Sequence, residues 1–116
     1  MADSIKKRDL PRLNARWPVT ILTQDGEANG ETRSFTVEGV FLRCLERLRE
    51  GEVYHLTIDL PEKPVEVTGQ LAWSNLDNFR PEHTIPGMGF CFVKISKEDR
   101  DRLGDAIVAH QDKGQA

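Results

Sequence analysis

Val65-Glu66-Val67-Thr68-Gly69-Gln70-Leu71-Ala72-Trp73 places an apolar side chain or a glycine at every second position. A period of two belongs to a strand with one face buried and one face wet. Gly69 inside the run marks a bend or a close approach of another group. Just upstream, Pro61-Glu62-Lys63-Pro64 reads as a turn, because proline presets the backbone and removes ladder donors. Before that turn, Val53 to Leu60 alternates again, with Leu56, Ile58 and Leu60 sharing one face. Two alternating runs around a tight turn predict antiparallel pairing.

The same grammar extends in both directions. Residues 74–87 are rich in turn formers and predict the longest loop, and Met88 to Ile95 predicts the last strand. Ser96 is placed to cap a helix, with Glu98 and Asp99 in its first turn, where acids suit the helix dipole. Leu103, Ala106, Ile107 and His110 follow at helical spacing. Gly104 weakens that helix by about 1 kcal/mol relative to alanine. Towards the N-terminus, a strand is predicted across 16–24, with Val19, Ile21 and Thr23 on one face. Asp25-Gly26 and Asn29-Gly30 are turn signals. A strand over 31–36 comes next, then a bend at Val37-Glu38-Gly39 and a strand opening on Val40, Phe41 and Leu42. The segment from Leu42 to Glu50 reads two ways, because Leu42, Leu45 and Leu48 recur every three residues as in a helical turn.

Six short strands without a parallel crossover, ending in one amphipathic helix, predict a mainly β fold. The expected architecture is a six-stranded antiparallel β-barrel with a C-terminal α-helix packed on it, which hides apolar faces and strand edges together. The expected organisation is a basic arm over residues 1–15, barrel and helix over 16–112, and a disordered tail over 113–116.

With 116 residues the chain suits one domain. No apolar run approaches the ~20 residues of a membrane helix, and Met1 to Arg16 lacks the apolar segment of a secretory signal. A cytoplasmic protein without membrane insertion is expected. The net charge of −3 is uneven. Residues 1–16 hold five basic groups (Lys6, Lys7, Arg8, Arg12, Arg16) against Asp3 and Asp9, whereas the other hundred residues carry 11 basic and 17 acidic groups. An acidic body with a basic arm does not suit nucleic-acid polymers, which need a broad basic face. It suits local capture of a small anion. Cys44 and Cys91 sit in apolar runs and are expected as reduced, buried thiols.

Two ordered patterns stand out. Arg8-Asp9-Leu10-Pro11-Arg12 sets two arginines four apart ahead of the first strand. Ser34-Phe35-Thr36-Val37-Glu38-Gly39 sets a hydroxyl residue two before a second one and a glycine three after that. Leu48 to Val53, Gly69-Gln70-Leu71-Ala72-Trp73 and Gly87-Met88-Gly89-Phe90-Cys91-Phe92 follow in order, with a helix after Ser96. In this ordered set, over roughly residues 6 to 110, the chain resembles the PilZ family. That resemblance implies a barrel that binds cyclic di-GMP on its outside, with the arginine arm over the ligand and the second motif beneath it. It implies a receptor or adaptor that acts on an unidentified effector protein, with outputs such as motility, biofilm formation or exopolysaccharide production.

The ligand chemistry suits these side chains. Cyclic di-GMP carries two phosphodiesters and two guanines, and a guanidinium forks onto phosphate, pairs with guanine O6 and N7 and stacks on a purine. The expected ligand-binding residues are Arg8, Arg12, Ser34, Thr36 and Gly39. Lys7 and Arg16 add charge beside the pair, and Trp17 borders arm and barrel. Pro11 biases Leu10 to extended geometry and lowers the ordering cost of the arm. Gly39 permits a positive φ or a close approach of the ligand. Ser34 departs from the family, which usually has Asp or Asn there to accept from the guanine edge. Loss of such a bidentate contact costs about 1–3 kcal/mol. The alternative is therefore a degenerate PilZ-like module that contacts proteins and binds no nucleotide. Trp73 is expected as a structural strand residue. His55, His83 and His110 lack metal-ligand spacing, so no metal is assigned. No catalytic residues and no cofactor are expected, since neither a phosphate-binding Gly-Lys loop nor a nucleophile elbow is present.

Overall fold

A computed structural model describes residues 13–76 and 86–115, with side chains as far as His110. Its elements are β1 (Pro18–Thr23), β2 (Gly26–Thr36), β3 (Gly39–Arg43), β4 (Val53–Ile58), β5 (Val65–Ser74), β6 (Gly87–Ile95) and α1 (Lys97–Gln115). The strands form a closed barrel in the order β1-β2-β3-β6-β5-β4, with β4 returning to β1, and every pairing is antiparallel. Closure leaves no unpaired barrel edge, which an open six-stranded sheet would expose to association.

The alternating residues meet inside. Val19 and Ile21 of β1, Leu56 and Ile58 of β4, and Val65, Val67 and Leu71 of β5 are buried in one cluster. Full burial of each large aliphatic stabilises the fold by roughly 1.5–3 kcal/mol. Leu103, Ala106 and Ile107 of α1 join the same cluster, so the helix covers the barrel with the face its spacing predicts. The Ser96 hydroxyl accepts from the Asp99 amide at 3.0 Å, forming the expected N-cap. Two further bonds fasten the first turns of α1. The Glu66 amide donates to Asp99 at 3.2 Å, and Arg102 donates to the Pro64 carbonyl at 3.0 Å. Burial raises the Asp99 carboxyl, but hydrogen bonds from Arg102 and Glu66 outweigh it and hold the group below its ordinary value.

Four local expectations change. Asn29-Gly30 is not a turn; β2 runs through it from Gly26, with Gly30 paired to Val19. The reversal takes place at Gln24-Asp25 alone, and a second turn there would remove half of the β1–β2 ladder. Leu42 to Glu50 forms no helix. Leu42 is a buried residue of β3, while Leu45 lies exposed in the following loop. Cys44 is buried, but Cys91 follows the inward-facing Phe90 and is exposed on the outer face. Trp73 does not continue the inward row of Leu71. A register shift between Leu71 and Trp73 inserts Ala72 as an extra residue and turns the indole outward.

Leu13, within the segment expected as an arm, is buried and forms an isolated antiparallel bridge with Phe35. The buried Thr32 binds the next turn of chain, accepting from the Trp17 amide at 2.8 Å and donating to the Ala15 carbonyl. Residues 13–17 are thereby strapped along β2.

Gly104 lies in α1, and a Cβ there would meet the Val37 side chain at 3.7 Å, an ordinary contact. Gly104→Ala is expected to stabilise the fold by about 0.5–1 kcal/mol through helix propensity. Thermal melting checks this; an unchanged or lower midpoint would mean that Val37 obstructs the methyl group.

Candidate functional site

A second register shift, between Thr32 and Ser34 on β2, decides which motif residues face outward. Strict alternation would put Thr32, Ser34 and Thr36 on one face. Arg33 is the inserted residue, so Thr32 stays wholly buried while Phe35 also points inward. Ser34 and Thr36 are left half-buried on the outside. The bulge thus re-aims the two hydroxyls without breaking the strand.

The outer face of β2, β3, β6 and β5 forms an open groove of about 970 Å³. Thr36 and Gly39 line it from the hairpin between β2 and β3, beside Val37 and Glu38. The Thr36 hydroxyl accepts from the Glu38 amide at 3.1 Å and shapes that turn. Phe41 and Trp73 form one wall, with ring centroids 5.4 Å apart and planes inclined by 14°. The indole lies across Gly89, where a Cβ would come within 2.4 Å of Trp73 Nε1. Any side chain at 89 would push the indole off the strand. Cys91, Lys94 and Arg100 complete the polar part of the lining. Burial raises the Cys44 thiol, whereas Cys91 is the thiol open to the groove.

The predicted site residues fall into four groups. Thr36 and Gly39 are brought together as motif partners in the groove. Ser34 pairs directly with Phe41 across β2 and β3, next to the aromatic wall. Trp17 is half-buried elsewhere, between Phe35 at 5.2 Å and His110 at 5.2 Å, and packs the helix end against β2. Arg16 is exposed beside it. Lys7, Arg8 and Arg12 lie outside the described residues.

Gly39 has no positive φ. Its need for glycine comes from the neighbouring strand rather than from room for a ligand: a Cβ would sit 2.6 Å from the Phe90 carbonyl oxygen of β6. The motif glycine therefore lets β3 and β6 pair tightly beneath the groove. Phe41, Trp73 and Gly89 were missed as site residues by sequence reasoning. The available signal was the pair of an aromatic at 73 and a glycine at 89, which the barrel register sets directly opposite each other.

Among the described residues no group of His, Cys, Asp and Glu could hold a metal, and no helix is long and apolar enough to cross a membrane.

The PilZ domain model matches residues 6–109. No curated protein matches the chain in sequence. Among solved structures, the Bacillus subtilis inhibitor of motility MotI/DgrA superposes with a TM-score of 0.80 at 19% identity, over 94% of this chain and 53% of that one. Escherichia coli YcgR in complex with c-di-GMP gives 0.78 at 16% identity, over 94% and 48%. The isolated PilZ domain of YcgR with c-di-GMP gives 0.75 at 14% identity, over 94% and 95%. The chain spans about half the length of the first two proteins and nearly all of the third.

Proposed function

The chain belongs to the PilZ domain family, and from that premise we propose that it is a receptor for cyclic di-GMP which works by binding, with no chemical step. The observation that carries this reading is the outer groove. It places Thr36 and Gly39 of the family motif against an aromatic wall of Phe41 and Trp73. Such a wall suits a purine, since stacking a base on an aromatic ring contributes about 1–3 kcal/mol.

The tether of the N-terminal segment supports the same reading. Leu13 exchanges two backbone hydrogen bonds with Phe35, at 2.9 and 3.0 Å, between Ser34 and Thr36. Consecutive Cα atoms are about 3.8 Å apart. Arg12 directly precedes Leu13 in the chain, and Arg8 comes four residues before it. In this proposal Arg8 and Arg12 take the phosphodiesters and guanine edges. Ser34 and Thr36 offer hydroxyls from below. Ligand capture orders the arm and changes the surface shown to an effector protein. Such a switch needs different ligand affinity in the two arm states.

Calorimetric titration with cyclic di-GMP tests the proposal, with cyclic di-AMP and GTP as controls. Specific binding at micromolar concentration or below, about −8 kcal/mol or better, is the expected result. Absence of heat and of any melting shift at high ligand would reject it. The remaining reading would then be a protein-contact module, favoured by the serine at 34.

Ser34 supplies a sharper prediction. Ser34→Asp restores a carboxylate able to accept from guanine N1 and N2, so affinity is expected to rise about tenfold, within the roughly 1–3 kcal/mol of a good base contact. The same titration measures it. An unchanged or weaker affinity would place residue 34 away from the guanine.

A further inference from the structure

The proposed ligand carries two negative phosphodiesters, and the groove itself holds cations that the two sequence motifs do not include. Among the described residues lining it, Lys94 and Arg100 are the cations and Glu38 is the acid. Lys94 comes from β6, but Arg100 comes from α1, an element outside both motifs.

Arg100 is oriented towards the motif by the packing of the helix on the β2–β3 turn. Its Nη1 donates to the Val37 carbonyl at 3.4 Å. One helical turn further on, Gly104 lies on the same face, where a Cβ would touch Val37 at 3.7 Å. The turn that carries Thr36 and Gly39 therefore rests on the strip of α1 running from Arg100 to Gly104.

The other two cations in the first turns of the helix are committed elsewhere. Lys97 pairs with Asp101 at 3.0 Å, and Arg102 pairs with Asp99 and donates to the Pro64 carbonyl. Arg100 has no acid three or four positions away; those positions are Ser96, Lys97, Leu103 and Gly104. A guanidinium has five donors in a planar fork. One edge can keep the Val37 carbonyl while the other meets a phosphate.

We propose that Arg100, assisted by Lys94, is a phosphate-binding residue of the ligand groove, and that through it ligand occupancy is transmitted to α1. This rests on the cyclic di-GMP reading above. The phosphate contact adds a tie between the ligand and the first turns of the helix, and these turns are already joined to the motif turn by the Val37 carbonyl. The helix thereby becomes the element whose local stability reports the ligand.

The test compares wild type with Arg100→Ala, Arg100→Lys and Lys94→Ala by titration with cyclic di-GMP, together with hydrogen exchange on each protein with and without ligand. Arg100 and Lys94 are exposed, and thermal melts of the variants confirm the fold. Arg100→Ala is expected to weaken binding about tenfold, the usual scale for a lost hydrogen bond to a charged group, with Arg100→Lys recovering part of it and Lys94→Ala losing less. Ligand should slow amide exchange across residues 97–104 in wild type and fail to do so in Arg100→Ala. Wild-type affinity in Arg100→Ala, or ligand protection of 97–104 that survives the substitution, would overturn the inference while leaving the receptor reading intact. Failure of the wild type to bind would remove both.

Discussion

Arg12→Ala is expected to lower affinity for cyclic di-GMP by roughly 30- to 150-fold. A fork-like, charge-assisted contact between guanidinium and phosphate or guanine is worth about 2–3 kcal/mol when one partner is deleted, and that energy converts directly into this range. The position matters as much as the charge. Leu13, one residue on, is buried and bonded to Phe35 in the middle of the motif strand, which under the proposed reading ties the chain next to Arg12 to the motif. Arg12→Lys separates the two contributions. It keeps a point charge but loses the planar fork, so it should recover only a minor part of the affinity. The check is calorimetric titration of the three proteins, with melting curves to confirm that the Leu13 bridge survives. Equal affinity of wild type and Arg12→Ala would remove the arginine arm from the site.

Gly39→Ala is expected to act on the protein before any ligand is present. The added methyl would lie 2.6 Å from the Phe90 carbonyl oxygen, which belongs to the backbone of the neighbouring strand and cannot rotate away. Forced overpacking of this kind costs about 1–3 kcal/mol. For a domain of this size that lowers the melting midpoint by roughly 5–15 °C. Binding should weaken as well, because separation of β3 from β6 disturbs the floor of the groove. A glycine needed only to admit a ligand would behave differently. The melting midpoint without ligand would then stay at the wild-type value while affinity fell, and that outcome would refute the packing explanation.

Much of the architecture was legible in the chain because burial imposes a period. The rows Leu56-Ile58-Leu60 and Val65-Val67-Leu71 alternate and are buried. The spacing of Leu103, Ala106 and Ile107 gave the apolar face of α1, and Ser96 gave its start. Periodicity failed where one residue was inserted. Arg33 and Ala72 are ordinary in composition, and nothing local announces that the strand bulges there. Yet those insertions separate Thr32 from Ser34 and turn Trp73 from the expected inward row to the outer wall. Asn29-Gly30 failed for the converse reason. Its turn propensity is real, but pairing along the whole of β2 outweighed it.

The amino-acid sequence by itself determined the barrel, its helix, the family and the two motifs, because these depend on side-chain period and order along the chain. The tertiary structure alone decided which face each motif residue occupies, why position 39 must be glycine, and that Phe41, Trp73, Lys94 and Arg100 share a groove with Thr36. Those facts arise from strand register, the approach of β3 to β6 and the packing of α1 on the β2–β3 turn, which join residues up to 64 positions apart through contacts that no short stretch of sequence encodes.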